Sequence, residues 1–296
     1  MLVKLKQVEL KNGEPISYYE QGNSKETLLL IHGNTSSAIF FEPLMQTLPK
    51  NQSVIAPDLR GFGNSSYKKN IETLSDFAED IKLLLEQLGL NCVSILGWSL
   101  GGAIAMEFAS TYPNMVSNLI LLSTGSPKGY PVFKKDEKGQ PMIPHVYKKK
   151  EDMALDPVQV LPLLNIYETK NSQMLATIYD YVIYTGHKKP ENDANLRWMN
   201  EAVKQRNLVD VDWALANFNI SSEPSLYQPG NNKLSNLKAR TLIIWGDKDV
   251  TVPKIMFDET VRLLPEATVL VYENAGHSIV VDETEKLAID IVHFIS

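Results

Sequence analysis

The sequence predicts an α/β fold: a mostly parallel central sheet, helices on both faces, and a helical insertion late in the chain. Three observations carry this. Short runs rich in Leu, Ile and Val recur, each closed by small or polar residues, as strands buried on both faces require. Helical segments lie between them, the pattern of right-handed strand–helix–strand crossovers. The alternation stops near Gly125 and resumes at ARTLIIWGDKD (239–249).

The chain opens with two strands near residues 8–10 and 16–19, flanking KNGEP, whose Asn-Gly is a hairpin signal. TLLLIHG (27–33), SVIAPDLRG (53–61), CVSILGW (92–98) and NLILLST (118–124) follow as buried strands. Cys92 starts one of them and is assigned to the core. FFEPLMQTL, LSDFAEDIKLLLEQLG and GGAIAMEFASTYP are the intervening helices. In the second, Phe77, Ile81, Leu84, Leu85 and Leu88 share one face. From 125 to 237 the chain reads as helical or irregular, rich in Tyr, Pro and Asn, without a buried strand. ATVLVYENAGH (267–277) is the last strand, and an amphipathic helix over about 282–295 closes the chain. The expected division is a core of residues 1–124 and 238–296 and a helical cap of residues 125–237.

At 296 residues and 44% hydrophobic, the chain can bury a large core. Its formal net charge is −6, and no basic stretch is interleaved with aromatics, so nucleic acid is excluded as an expected partner. KKKED (148–152) is balanced at once by acids and reads as a solvated turn. The N-terminal segment lacks the apolar run of a signal peptide, and nowhere do about 18 apolar residues follow one another to span a membrane. The single cysteine cannot form an internal disulfide, and no Cys/His cluster suggests a metal. The expectation is a cytoplasmic protein that needs no metal or organic cofactor; oligomeric state is left open.

LGWSLGGAIAMEFA (96–109) carries the chemistry. Glycines 97, 101 and 102 surround Ser99 where an apolar strand becomes a helix. A turn this tight strains the serine backbone, and small neighbours let strand and helix approach. It lifts the hydroxyl clear of the sheet beside the helix N-terminus, where free N–H groups favour negative charge. A serine nucleophile needs a base, and the base needs an orienting acid. Of His32, His145, His187, His277 and His293, only His277 follows the last strand at the sheet edge that carries Ser99. The acid is assigned to Asp249 rather than Asp247, because it stands further beyond its strand. Backbone amides of Leu100 and Asn34 are the candidate oxyanion donors. Gly33 and Trp98 are assigned to the substrate pocket. His32 is read as bracing its loop, and Asp58 and Arg60 as pairing or hydrogen-bonding within theirs.

H-G-N-T, D-L-R-G-F-G-N-S (58–65), G-W-S-L-G, G-D-K-D and G-H-S stand in order and cover the whole non-cap portion. In this the chain resembles the α/β-hydrolases, which implies the α/β-hydrolase fold with an inserted helical cap. H-G-N also resembles the haloalkane dehalogenases, where that asparagine helps hold halide. Those enzymes and the related epoxide hydrolases use an aspartate nucleophile, and Ser99 argues against both. In the cap, residues 129–141, 156–160 and 205–221 look similar to bacterial intracellular esterases described as poly(3-hydroxybutyrate) depolymerases. That resemblance implies cleavage of 3-hydroxyacyl esters, small or polymeric.

The reading is a serine carboxylic-ester hydrolase with Ser99, His277 and Asp249 as its triad. A lactonase or amidase, or a C–C bond hydrolase or lyase, would use the same three residues. A ligand-binding protein that inherited the fold would bind without turnover. The cap aromatics Tyr130, Phe133, Tyr147, Tyr181, Tyr184, Trp198, Trp213 and Phe218 are candidates for an apolar pocket or for cap–core packing.

Overall fold

The computed structural model describes residues 4–296. Its strands, in chain order, are β1 (Lys4–Glu9), β2 (Pro15–Gln21), β3 (Thr27–Ile31), β4 (Ser53–Pro57), β5 (Val93–Trp98), β6 (Val116–Leu122), β7 (Phe133–Lys135), β8 (Pro141–Val146), β9 (Arg240–Gly246) and β10 (Thr268–Tyr272). Eight form one sheet in the order β1-β2-β4-β3-β5-β6-β9-β10. β1 pairs with β2, and β2 with β4, antiparallel; every other pairing is parallel.

Alternate residues of the central strands feed two cores, one on each face. Leu28 and Leu30 of β3, Leu96 of β5, Ile120 of β6 and Ile244 of β9 face one way. Leu29, Ile31, Ile95, Leu121 and Ile243 face the other. This is why the strands read as continuous apolar runs rather than alternating ones. The helices Leu74–Gln87 and Leu100–Thr111 cover the second face, and Thr284–Ile295 packs on the first.

Strand order reverses at β3, which lies between β4 and β5. In open α/β sheets the crevice outside the carboxyl ends of such neighbouring strands is where ligands gather. Ile31 of β3 pairs with Gly97 of β5, so the segments after these strands start side by side.

Between β6 and β9 lie five helices, Lys150–Met153, Leu161–Glu168, Ser172–Val182, Asn192–Ala202 and Leu208–Ala216. Two of them meet the core of the first face at Phe40, whose ring centroid lies 5.7 Å from Tyr179 and 5.6 Å from Trp198, and 6.1 Å from Trp98 of β5. Two features depart from the sequence reading. The segment also holds an antiparallel hairpin, β7–β8, whose strands are too exposed to leave a buried-strand signature. Cys92 is exposed rather than core, because β5 begins one residue later at Val93.

Candidate active site

Ser99 sits between β5 and the helix Leu100–Thr111 with φ 56° and ψ −121°. Few L-residues adopt that conformation, because the side chain crowds its own backbone. Neighbouring backbones press close on either side. A Cβ on Gly97 would collide with the Gly101 carbonyl, and one on Gly101 with the carbonyl of Ile31. The turn is tied down on both sides: Ser99 N donates to Leu122 O (3.0 Å), and Thr124 Oγ1 donates to Ser99 O (2.8 Å).

His277 follows β10 and Asp249 follows β9. His277 Nδ1 lies 2.8 Å from Asp249 Oδ2, and both residues are buried. The second oxygen, Oδ1, accepts the amides of Thr251 (2.9 Å) and Val252 (2.8 Å), which fixes the carboxylate. Asp249 therefore holds the proton on Nδ1 and leaves Nε2 as a base. Trp98 Nε1 donates to the His277 carbonyl (2.9 Å), and the two rings lie 5.5 Å apart. Asp247 instead accepts the amide of Asn274 (2.6 Å) and serves the turn.

Among the described residues, the N–H groups of Asn34 and Leu100 donate to no protein group. Both residues line a cavity of about 380 Å³ together with Ser99, Trp98 and His277. Its walls are otherwise largely apolar, with Val132, Leu163, Leu175, Ile178, Tyr179 and Leu215 among them. A hydroxyl bordering the cavity, an imidazole with one bare nitrogen, and two unsatisfied amides around an apolar space are the groups that nucleophilic acyl chemistry requires.

The loop around Asn34 is braced from below by His32. Leu59 N donates to His32 Nε2 (3.0 Å), so Nδ1 carries the proton and donates to Gly33 O (2.8 Å). Burial pushes the His32 pKa down to about 4, which keeps the ring neutral. Gly33 does not line the cavity. It lies behind the nucleophile, where a Cβ would come 3.1 Å from Ser99 Cβ. Asp58 and Arg60 do not pair with each other. Asp58 accepts the amides of Ala38 (2.9 Å) and Asn64 (2.8 Å), and burial raises its pKa to about 6. Arg60 forms a two-pronged buried pair with Asp80 at 2.7 and 2.5 Å.

A family model described as the α/β-hydrolase fold matches residues 26–149. Lipase 1 of Psychrobacter immobilis is 27% identical over 97% of this chain and 82% of its own length. The 2-hydroxy-6-oxononadienedioate/2-hydroxy-6-oxononatrienedioate hydrolase 2 of Pseudomonas putida is 27% identical over 88% of this chain and 85% of its own. An esterase structure from Exiguobacterium antarcticum superposes over 98% of both chains with a TM-score of 0.73 at 21% identity. The chain has the α/β-hydrolase fold.

Among the cavity residues that the sequence did not single out are Thr35, Tyr179 and Asp212. Asn34 is their centre. Its Nδ2 donates to Asp212 Oδ1 (2.8 Å), and its Oδ1 accepts from Thr35 N (3.0 Å) and Gln205 Nε2 (2.8 Å). Tyr179 Oη donates to Thr35 O (2.7 Å). Burial raises the Asp212 pKa to about 7, against the Asn34 hydrogen bond, which lowers it. The string QRNLVDVDW offered one signal, acids inside an apolar helical stretch, yet nothing local says which one faces a cavity. Of the cap aromatics singled out, Tyr130 lines the cavity. Tyr184, Trp198 and Phe218 are core, and Tyr181 is exposed. No helix among the described residues is long and apolar enough to cross a membrane.

Proposed function

We propose that the protein is a serine carboxylic-ester hydrolase acting through an acyl-enzyme, with 3-hydroxyacyl esters as its substrate class. The observation that carries this is the shared apolar cavity. A strained, half-buried Ser99, the His277–Asp249 pair and the unpartnered amides of Asn34 and Leu100 all border it. In the proposed cycle, His277 Nε2 takes the Ser99 proton as Oγ attacks the ester carbonyl. The amides of Asn34 and Leu100 stabilise the tetrahedral oxyanion. His277 then protonates the departing alcohol, and water, activated by the same imidazole, releases the acid. Residues 125–237 act as the cap over a core of residues 1–124 and 238–296, and the cap supplies most of the apolar wall.

Ester hydrolysis agrees with the lipase and esterase names among the relatives. A dianionic substrate, such as the dienedioate in the name of the Pseudomonas putida relative, fits less well. No Lys or Arg lines the cavity among the described residues, and Asp212 adds a carboxyl.

The test uses amorphous poly(3-hydroxybutyrate) granules and a panel of short p-nitrophenyl esters, with Ser99→Ala as control. The wild type should hydrolyse the short esters and release 3-hydroxybutyrate. Ser99→Ala should lose about 10⁴-fold or more in kcat. A variant retaining more than a tenth of the activity overturns the nucleophile assignment. Activity on short esters without release from granules removes the polymer and keeps the esterase.

A further inference from the structure

Asp212 lines the cavity beside Asn34. It is a carboxyl at the wall of an otherwise apolar cavity, and it has no cationic partner among the described residues. A half-buried carboxyl without a cationic partner is costly, so an apolar residue there would make a more stable protein. Its Oδ1 is committed to Asn34 Nδ2. Its Oδ2 receives no hydrogen bond from the described residues, yet it is not sealed away as the buried orphans Ser37 Oγ and Ser123 Oγ are. One acceptor oxygen is therefore held in place by its sibling and left open to the cavity.

The direction of this acceptor follows from its neighbour. The backbone amide of Asn34 borders the position of the ester carbonyl, and its side chain holds Asp212. The carboxyl thus lies on the Asn34 side of the cavity, the side of the candidate oxyanion donor. The leaving alcohol must lie towards His277, which donates its proton. The part of the substrate near Asp212 is therefore the acyl group. Resting on the ester-hydrolase reading above, we propose that Asp212 is a specificity residue: its free oxygen accepts a hydrogen bond from a hydroxyl on the acyl chain, close to the ester carbonyl. An acyl chain bearing only carbon there would leave the carboxylate unsatisfied, which is a penalty as well as a lost bond.

The test compares kcat/KM at pH 8 for the p-nitrophenyl esters of 3-hydroxybutyrate (both enantiomers), 3-methoxybutyrate and butyrate. The methoxy group can accept a hydrogen bond but not donate one. The wild type should prefer one hydroxy ester over both others by roughly tenfold to a hundredfold, the range of a hydrogen bond to a charged group. Asp212→Asn can keep the bond to Asn34 through its amide oxygen while turning an NH₂ to the cavity. Its preference for hydroxy over methoxy should collapse to about twofold or less. A purely structural Asp212 would slow every ester of the panel together and leave their ratios unchanged, which overturns the proposal. Equal rates on every ester of the panel by the wild type overturn it as well. Failure of the wild type on every ester would instead remove the esterase reading, and this proposal with it. Should Asp212→Asn not fold, Asp212→Ser shortens the acceptor and carries the same comparison.

Discussion

Replacing Ser99 with glycine and, separately, with alanine separates backbone strain from chemistry. At φ 56° and ψ −121° a residue with a Cβ carries about 1–3 kcal/mol of strain, and glycine carries almost none. Glycine also gives the unfolded chain more freedom, which costs about 0.5–1 kcal/mol on folding. Ser99→Gly should therefore be more stable than Ser99→Ala by about 0.5–2 kcal/mol. No helix cap confuses the comparison, because the Ser99 side chain makes no capping hydrogen bond. For 296 residues the unfolding entropy is on the order of 0.6 kcal/mol/K, so the difference amounts to about 1–3 °C in Tm. Urea titration followed by tryptophan fluorescence resolves it better than heating. Both variants should be inactive. If the alanine variant equals or exceeds the glycine variant in stability, the strain argument for this turn is wrong.

Two further perturbations test the buried charges. Asp212, with a native pKa of about 7, holds a proton between about pH 4 and pH 7 that the unfolded chain has released. Its contribution to stability is therefore largest below pH 4 and is lost as pH rises through 7. Asp212→Asn should gain on the wild type between pH 5 and pH 8, with a ceiling of about 3 kcal/mol at ~1.4 kcal/mol per tenfold change in proton affinity, because only the two pH units from 5 to 7 fall in that window. Urea midpoints at the two pH values measure the gain, and a pH-independent difference contradicts the shift. Asp80→Ala leaves the Arg60 guanidinium buried without its carboxylate and should cost about 3–5 kcal/mol by urea unfolding. A loss below about 1 kcal/mol would mean that Arg60 reaches water or another acceptor once Asp80 is gone.

Legibility in the sequence followed the range of the interactions. The parallel strands were readable because burial on both faces demands continuous apolar runs, a property of five to seven adjacent residues. The turn at Ser99 was readable for the same reason: Gly97 and Gly101 lie within two residues of it. The β7–β8 hairpin was not, because exposed strands such as Pro141–Val146 carry no such run. Cys92 was misplaced by one residue at a strand end, where local pattern loses its grip.

By itself the sequence determined the α/β-hydrolase fold, the strained Ser99 turn, and the presence of candidate acids and a histidine beyond the right strands. Only the tertiary structure decided which side chains meet. Arg60 turns to Asp80 rather than Asp58, and Asn34 finds Asp212 across 178 positions of chain. The physical reason is that backbone conformation is set by residues a few places apart. The direction of a side chain and the partner it finds are set by whatever distant segment packs against it.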